Sequence, residues 1–192
     1  MEKFSFIISR IFDFYFWFPV LLLAAVFKTG LAAGQIKILL PTLLIVDVVI
    51  PISYFFMDLG GGRVSDIDVS KRQQRYHLFI RLVIIQIIST VFAYFFGNQT
   101  FFVLQLINLV LGTSILLITF FYKISGHMLL SSSYILMINF LFNWQFLWLF
   151  LILPFVAFAR IYLKKHTVWE VLAGTTVGLI EPYLILRLFK LL

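Results

Sequence analysis

Apolar runs of roughly 20 residues, the length needed to cross ~30 Å of hydrocarbon as a helix, recur along this chain with only short polar breaks between them. They cover about 7–27, 36–57, 78–96, 101–122, 128–142, 146–163 and 171 to the C-terminus. The pattern predicts an all-α fold, a polytopic membrane helix bundle of six to seven transmembrane helices. The range reflects the first run. Arg10 and Asp13 lie three apart near its start and pair at the interface if it spans, whereas a helix lying in the interface accommodates them equally well. Composition supports the membrane reading: 62% of residues are hydrophobic and 12% charged, where soluble domains are nearer half and a quarter. The absence of cysteine excludes a disulfide scaffold, thiol catalysis and thiolate metal sites. The first run is long for a cleavable signal and no clear cleavage site separates it from the next hydrophobic stretch, so it is expected to stay in the mature protein. The chain is expected to be a single integral membrane domain over 1–192.

The polar breaks fall at 28–37, 58–77, 97–100, 123–127, 143–145 and 160–170. Each crossing switches sides, so parity puts 58–77, 123–127 and 160–170 on one membrane face. Eleven of the 15 Lys and Arg go with that face: Lys3, Arg10, Arg63, Lys71, Arg72, Arg75, Arg81, Lys123, Arg160, Lys164 and Lys165. Lys28, Lys37, Arg187 and Lys190 remain on the other. Cations held for a substrate are not free to report topology, so the charge count leaves the orientation open. The net charge of +7 suits membrane lipid headgroups or an anionic substrate, and no nucleic acid is expected. Three helices begin on the three-break face. Their N-termini offer unpaired N–H groups and partial positive charge, which favour a phosphate.

The break at 160–170 carries the most chemistry. His166 and Glu170 stand at i and i+4 and share a helix face. A carboxylate on one imidazole nitrogen leaves the other as nucleophile or base, and Arg160 supplies a permanent charge for an anion. A structural alternative exists for the same residues, because Thr167 to Glu170 is also a capping box for the last helix. The two roles are compatible. Asp47 and Glu181 lie within apolar runs, where an acid costs ~3 kcal/mol on insertion scales, and Glu181-Pro182 is expected to interrupt the last one.

Arg160, five residues, His166, three residues and Glu170 resemble the third motif of the type 2 phosphatidic acid phosphatase superfamily, with Glu for Asp and with Ala159 in place of the preceding Ser. Ser125-Gly126-His127 resembles its second. The first motif departs from the family pattern, and Arg72 and Arg75 stand in its place as an Arg-x-x-Arg. The resemblance covers about 58–180, with the two hydrophobic segments of 1–57 additional to it. It implies a lipid-phosphate phosphatase working without metal or cofactor. His166 would form a phosphohistidine, Glu170 would orient it, and His127 would protonate the leaving alkoxide. Arg160, Arg72, Arg75, Lys123, Ser125 and Gly126 would bind the phosphate, and the cell (plasma) membrane would be the location. Prenyl and glycerolipid phosphates fit equally. A non-catalytic lipid-binding or transport protein, or a phosphoryl or headgroup transferase, is the alternative.

Overall fold

Backbone polar groups have no water to bond within a bilayer, and a helix satisfies them internally. The computed structural model, which describes residues 1–12 and 14–192 (the side chains of 14 and 15 excepted), is accordingly 80% helical with no strand among them. The helices are α1 (Glu2–Ile11), α2 (Phe14–Lys28), α3 (Ala33–Leu44), α4 (Ile50–Gly60), α5 (Arg72–Phe96), α6 (Gln99–Phe121), α7 (Gly126–Leu141), α8 (Ile152–Tyr162) and α9 (Val168–Leu188). A π turn (Ile45–Val49) joins α3 to α4, and a 3₁₀ turn (Leu147–Leu151) leads into α8. Five stretches are long and apolar enough to cross a membrane: Glu2–Lys28, Ala33–Gly60, Arg72–Phe96, Gln99–Phe121 and Val168–Leu188. Gly126–Leu141 and Leu147–Tyr162 are shorter apolar helices. The protein is an all-α membrane helix bundle. Large apolar side chains such as Phe95, Phe121 and Leu184 stand exposed, as lipid contact requires.

Three boundaries differ from the sequence reading. The first apolar run contains two helices, α1 and α2; the expected Arg10–Asp13 pair lies outside the described residues. The third run begins at Arg72, which places Arg72 and Arg75 in the first turn of α5. Pro182 does not interrupt α9, which continues to Leu188; neighbouring helices in a membrane re-satisfy the groups a proline frees.

The chain forms two compact units, one of residues 1–28 with 124–192 and one of residues 29–123. In the first, α7 packs against α2, α8 and α9, and α1 against α8. Residues 131–139 of α7 are buried without a break, the mark of a helix enclosed on all sides. Trp17 Nε1 donates to Ser131 Oγ at 2.9 Å. On α9, Gly174 and Gly178 form a GxxxG face. A Cβ on Gly174 would strike the Ser125 carbonyl, and one on Gly178 the Ser132 hydroxyl and the Leu129 carbonyl. Small residues let the α7 and α9 backbones close up, which is how membrane helices gain packing without a hydrophobic driving force.

In the 29–123 unit, α5 and α6 form an antiparallel hairpin through Gly97 and Asn98. Asn98 accepts from Phe101 N at 3.0 Å as the N-cap of α6. Arg81 joins α5 to α4 through Asp58 at 2.7 Å. The loop before α5 is wound around Asp66, whose carboxylate accepts from Asp68 N (3.1 Å) and from the Ser70 hydroxyl (2.8 Å).

Candidate active site

Arg160 lies in the last turn of α8, and the chain turns sharply after it. Lys164 N donates to Ile161 O at 2.9 Å and Lys165 N to Arg160 O at 3.1 Å. Lys164 has φ of 54°, so the turn is a Schellman C-cap with a lysine in the left-handed position where glycine is usual. His166 N also donates to Arg160 O, at 3.3 Å. Two residues of the expected motif are thus bound through backbone before their side chains are considered.

Thr167 then caps α9. Glu170 N donates to Thr167 Oγ1 at 3.2 Å, and Thr167 N to Glu170 Oε2 at 3.4 Å. The same Oε2 lies 2.6 Å from His166 Nδ1. The capping box and the His–carboxylate pair coexist, and distance ranks them. At 3.4 Å the capping contact is past the ordinary N–H···O range, whereas 2.6 Å is characteristic of a charge-assisted bond. Glu170 is mainly the partner of His166. With Nδ1–H donated to the carboxylate, Nε2 carries the lone pair. The imidazole side chain is 1% exposed and the carboxylate 15%.

The start of α7 is fastened to this turn. Ser125 N donates to Glu170 O at 3.0 Å, and Ser125 Oγ caps α7 by accepting from Met128 N at 3.4 Å. The absence of a Cβ on Gly174 allows that approach. Gly126 and His127 open α7 immediately beyond. Of the nine expected site residues, Ser125, Arg160, His166 and Glu170 are brought together by bonds between them. Gly126 and His127 follow directly on Ser125, half-buried in the first turn of α7.

Arg160 is 1% exposed. A guanidinium taken out of water is costly unless its donors are met; one of them, NH1, donates to the hydroxyl of Ser9 on α1. Ser9 was not foreseen as part of the site. Ser5 and Ser9 are both fully buried on α1, a helix that also carries Glu2, Lys3 and Arg10, and two hydroxyls at i and i+4 were the available signal.

Arg72, Arg75 and Lys123 belong to the 29–123 unit. Arg72 NH1 donates to Phe121 O, at the C-terminal end of α6, at 3.0 Å. Arg75, buried, donates Nε to Val69 O at 2.8 Å. A guanidinium has five N–H groups, so neither bond uses up its side chain. Lys123 is half-buried just after α6. No group of three or more His, Asp or Glu suited to a metal occurs among the described residues.

The cap gives a first test. Thr167→Ala is expected to lower stability by ~1 kcal/mol, read as a fall in thermal midpoint, with His166–Glu170 retained. The chain matches no family model, no curated protein and no solved structure.

Proposed function

We propose that this protein is an integral membrane phosphatase of the cell membrane that hydrolyses a lipid phosphomonoester or diphosphate through a phosphohistidine on His166. The observation that carries the reading is the pairing of buried His166 with half-buried Glu170, 2.6 Å apart, six residues after the buried Arg160. A surface histidine capping a helix needs neither the burial nor the carboxylate, and a nucleophilic imidazole needs both.

Each residue has a defined task. Glu170 accepts Nδ1–H, which fixes the tautomer and leaves the lone pair of the neutral ring on Nε2. Arg160 binds phosphate oxygens, and Ser9 holds the guanidinium in place. Nε2 attacks phosphorus in line, forming an N–P bond as the P–O bond to the lipid breaks. His127, from the start of α7, gives its proton to the departing oxygen. Water then attacks phosphorus with its proton returning to His127, the N–P bond breaks, and inorganic phosphate leaves. The substrate tail stays in hydrocarbon, which suits prenyl and glycerolipid phosphates alike.

A second reading is a non-catalytic lipid-binding or transport protein. It draws on Arg72 and Arg75, each of which bonds a backbone carbonyl of its own unit and so has a structural use independent of phosphate. Phosphate release from a panel of prenyl phosphates, phosphatidate and phosphatidylglycerol phosphate separates the two readings. Inactivity of the folded protein on all of them overturns the phosphatase reading. In an active preparation, Arg160→Gln should weaken inhibition by inorganic phosphate roughly 30-fold, the equivalent of about 2 kcal/mol for a lost charge-assisted hydrogen bond. Unchanged inhibition removes Arg160 from the site.

A further inference from the structure

Asp47 sits midway along the Ala33–Gly60 span and is fully buried. Its partners are three neutral donors. Gln86 Nε2 reaches Oδ1 at 3.1 Å, the Ser89 hydroxyl bonds the same oxygen, and Gln105 Nε2 reaches Oδ2 at 3.2 Å. Asn108 extends the cluster by donating Nδ2 to Gln105 Oε1 at 3.1 Å. No Lys, Arg or His pairs with Asp47 among the described residues. A carboxylate in this setting needs a cation.

Two further observations indicate what kind. Gln86 Oε1 and Asn108 Oδ1 are buried and without a hydrogen-bond partner. Both orphans are acceptors, and both sit on the amides that build the cluster. The backbone adds a third oxygen. In the π turn, Ile50 N donates to Ile45 O in place of Val46 O, and Pro51 has no N–H to offer. The carbonyl of Val46, next to Asp47, therefore lacks both of its helical donors.

We propose that Asp47, Gln86 and Asn108 form a site for a monovalent, sodium-sized cation inside the 29–123 unit. Uncharged and anionic oxygens are the ligands of hard cations. A single carboxylate matches a single positive charge, whereas a divalent ion would leave net charge in hydrocarbon. A proton on Asp47 cancels the charge but provides one donor at most, so an amide oxygen stays bare. A metal ion draws the carboxylate and both amide oxygens together. An organic ammonium is excluded by closure: Asp47 and Ser89 are 0% exposed, and Gln86 and Asn108 are 6%. The site does not depend on the histidine chemistry and stands whether or not the protein is a phosphatase.

The test uses the full-length protein in lipid nanodiscs, dialysed into choline chloride. Equilibrium dialysis with ²²Na⁺ should give saturable binding of one ion per chain, displaced by NaCl and not by choline. Sodium at roughly 100 times its Kd should raise the thermal midpoint by about 5 °C over choline at equal ionic strength. Asp47→Asn, nearly isosteric, should abolish both effects. Asn108→Ala, which removes one orphan oxygen and leaves the three donors of Asp47, should weaken binding roughly tenfold or more; it decides the matter if Asp47→Asn fails to fold. No ²²Na⁺ retained by folded wild type, equal binding in Asp47→Asn, or equal affinity in Asn108→Ala overturns the proposal. So does a midpoint that responds to pH and not to sodium, which is the signature of a proton alone.

Discussion

Replacing His166 by alanine is expected to reduce phosphate release at least ~10⁴-fold, to the solution background, because the nucleophile and the covalent route go together. The size of the effect follows from the site. In the proposed mechanism Nε2 of His166 is the attacking atom, and Glu170 Oε2 lies 2.6 Å from Nδ1 of the same ring. Labelling with a ³²P-lipid phosphate gives an independent readout. Wild type should carry acid-labile, alkali-stable label, and His166→Ala none. Helicity and thermal midpoint should change little, since Thr167 still caps α9. A folded His166→Ala protein that hydrolyses lipid phosphates at the wild-type rate ends the phosphohistidine mechanism. A fall in activity without any trapped phosphoenzyme in wild type would recast His166 as a general base acting on water.

The largest effect on folding is expected at Gly178. A leucine there drives its Cβ into the Leu129 carbonyl and the Ser132 hydroxyl of α7. The hydroxyl can rotate, but the carbonyl is helix backbone and cannot. The helices must separate, and overpacking at a close crossing costs at least ~3 kcal/mol when backbone is what has to move. Gly178→Leu should express poorly and elute as aggregate, and Ser132→Ala added to it should not rescue folding. Gly112→Ala is the control, as its Cβ meets only a Val83 methyl at 3.8 Å. If Gly178→Leu folds with an unchanged midpoint, the α7–α9 crossing is not where this unit gains its packing. The same crossing carries Ser125 to Glu170, so Gly174→Ala, whose Cβ would strike the Ser125 carbonyl, should lower stability and activity together.

The all-helical class and the position of most apolar runs were legible because a bilayer imposes one length and one hydrogen-bonding solution. The His166–Glu170 pair was legible for a related reason: helix periodicity fixes an i, i+4 contact once α9 is placed. What escaped was local or remote. Arg72 and Arg75 stand inside α5 because the helix extends well beyond the hydrocarbon-length apolar run that marked it. Pro182 carries the statistics of a helix breaker, yet α9 is packed tightly enough to continue through it. The GxxxG face of Gly174 and Gly178 was present in the sequence, but a spacing of small residues says nothing of its partner helix. The Ser9–Arg160 bond joins residues 151 apart, and no local pattern encodes such a meeting. Asp47 was recognised as expensive; the donors that hold it come from two other helices, α5 and α6.

The Ser9–Arg160 bond also bears on how the protein is made. The 29–123 unit is continuous in sequence, while the other is assembled from 1–28 and 124–192. Helix α2 emerges from the ribosome before α7, its packing partner, has been translated, and α1 waits longer still for α8. At ~5–20 residues per second the intervening unit alone takes roughly 5–20 s to synthesise. Through that interval the hydroxyl of Ser9 has no Arg160 to meet, and the buried face of α2 has only lipid or translocon against it. The continuous unit can close during translation. The unit holding His127 and His166 closes only after α8 and α9 have been inserted, so the His166–Glu170 pair is assembled last, on a framework whose first helices have been in the membrane longest.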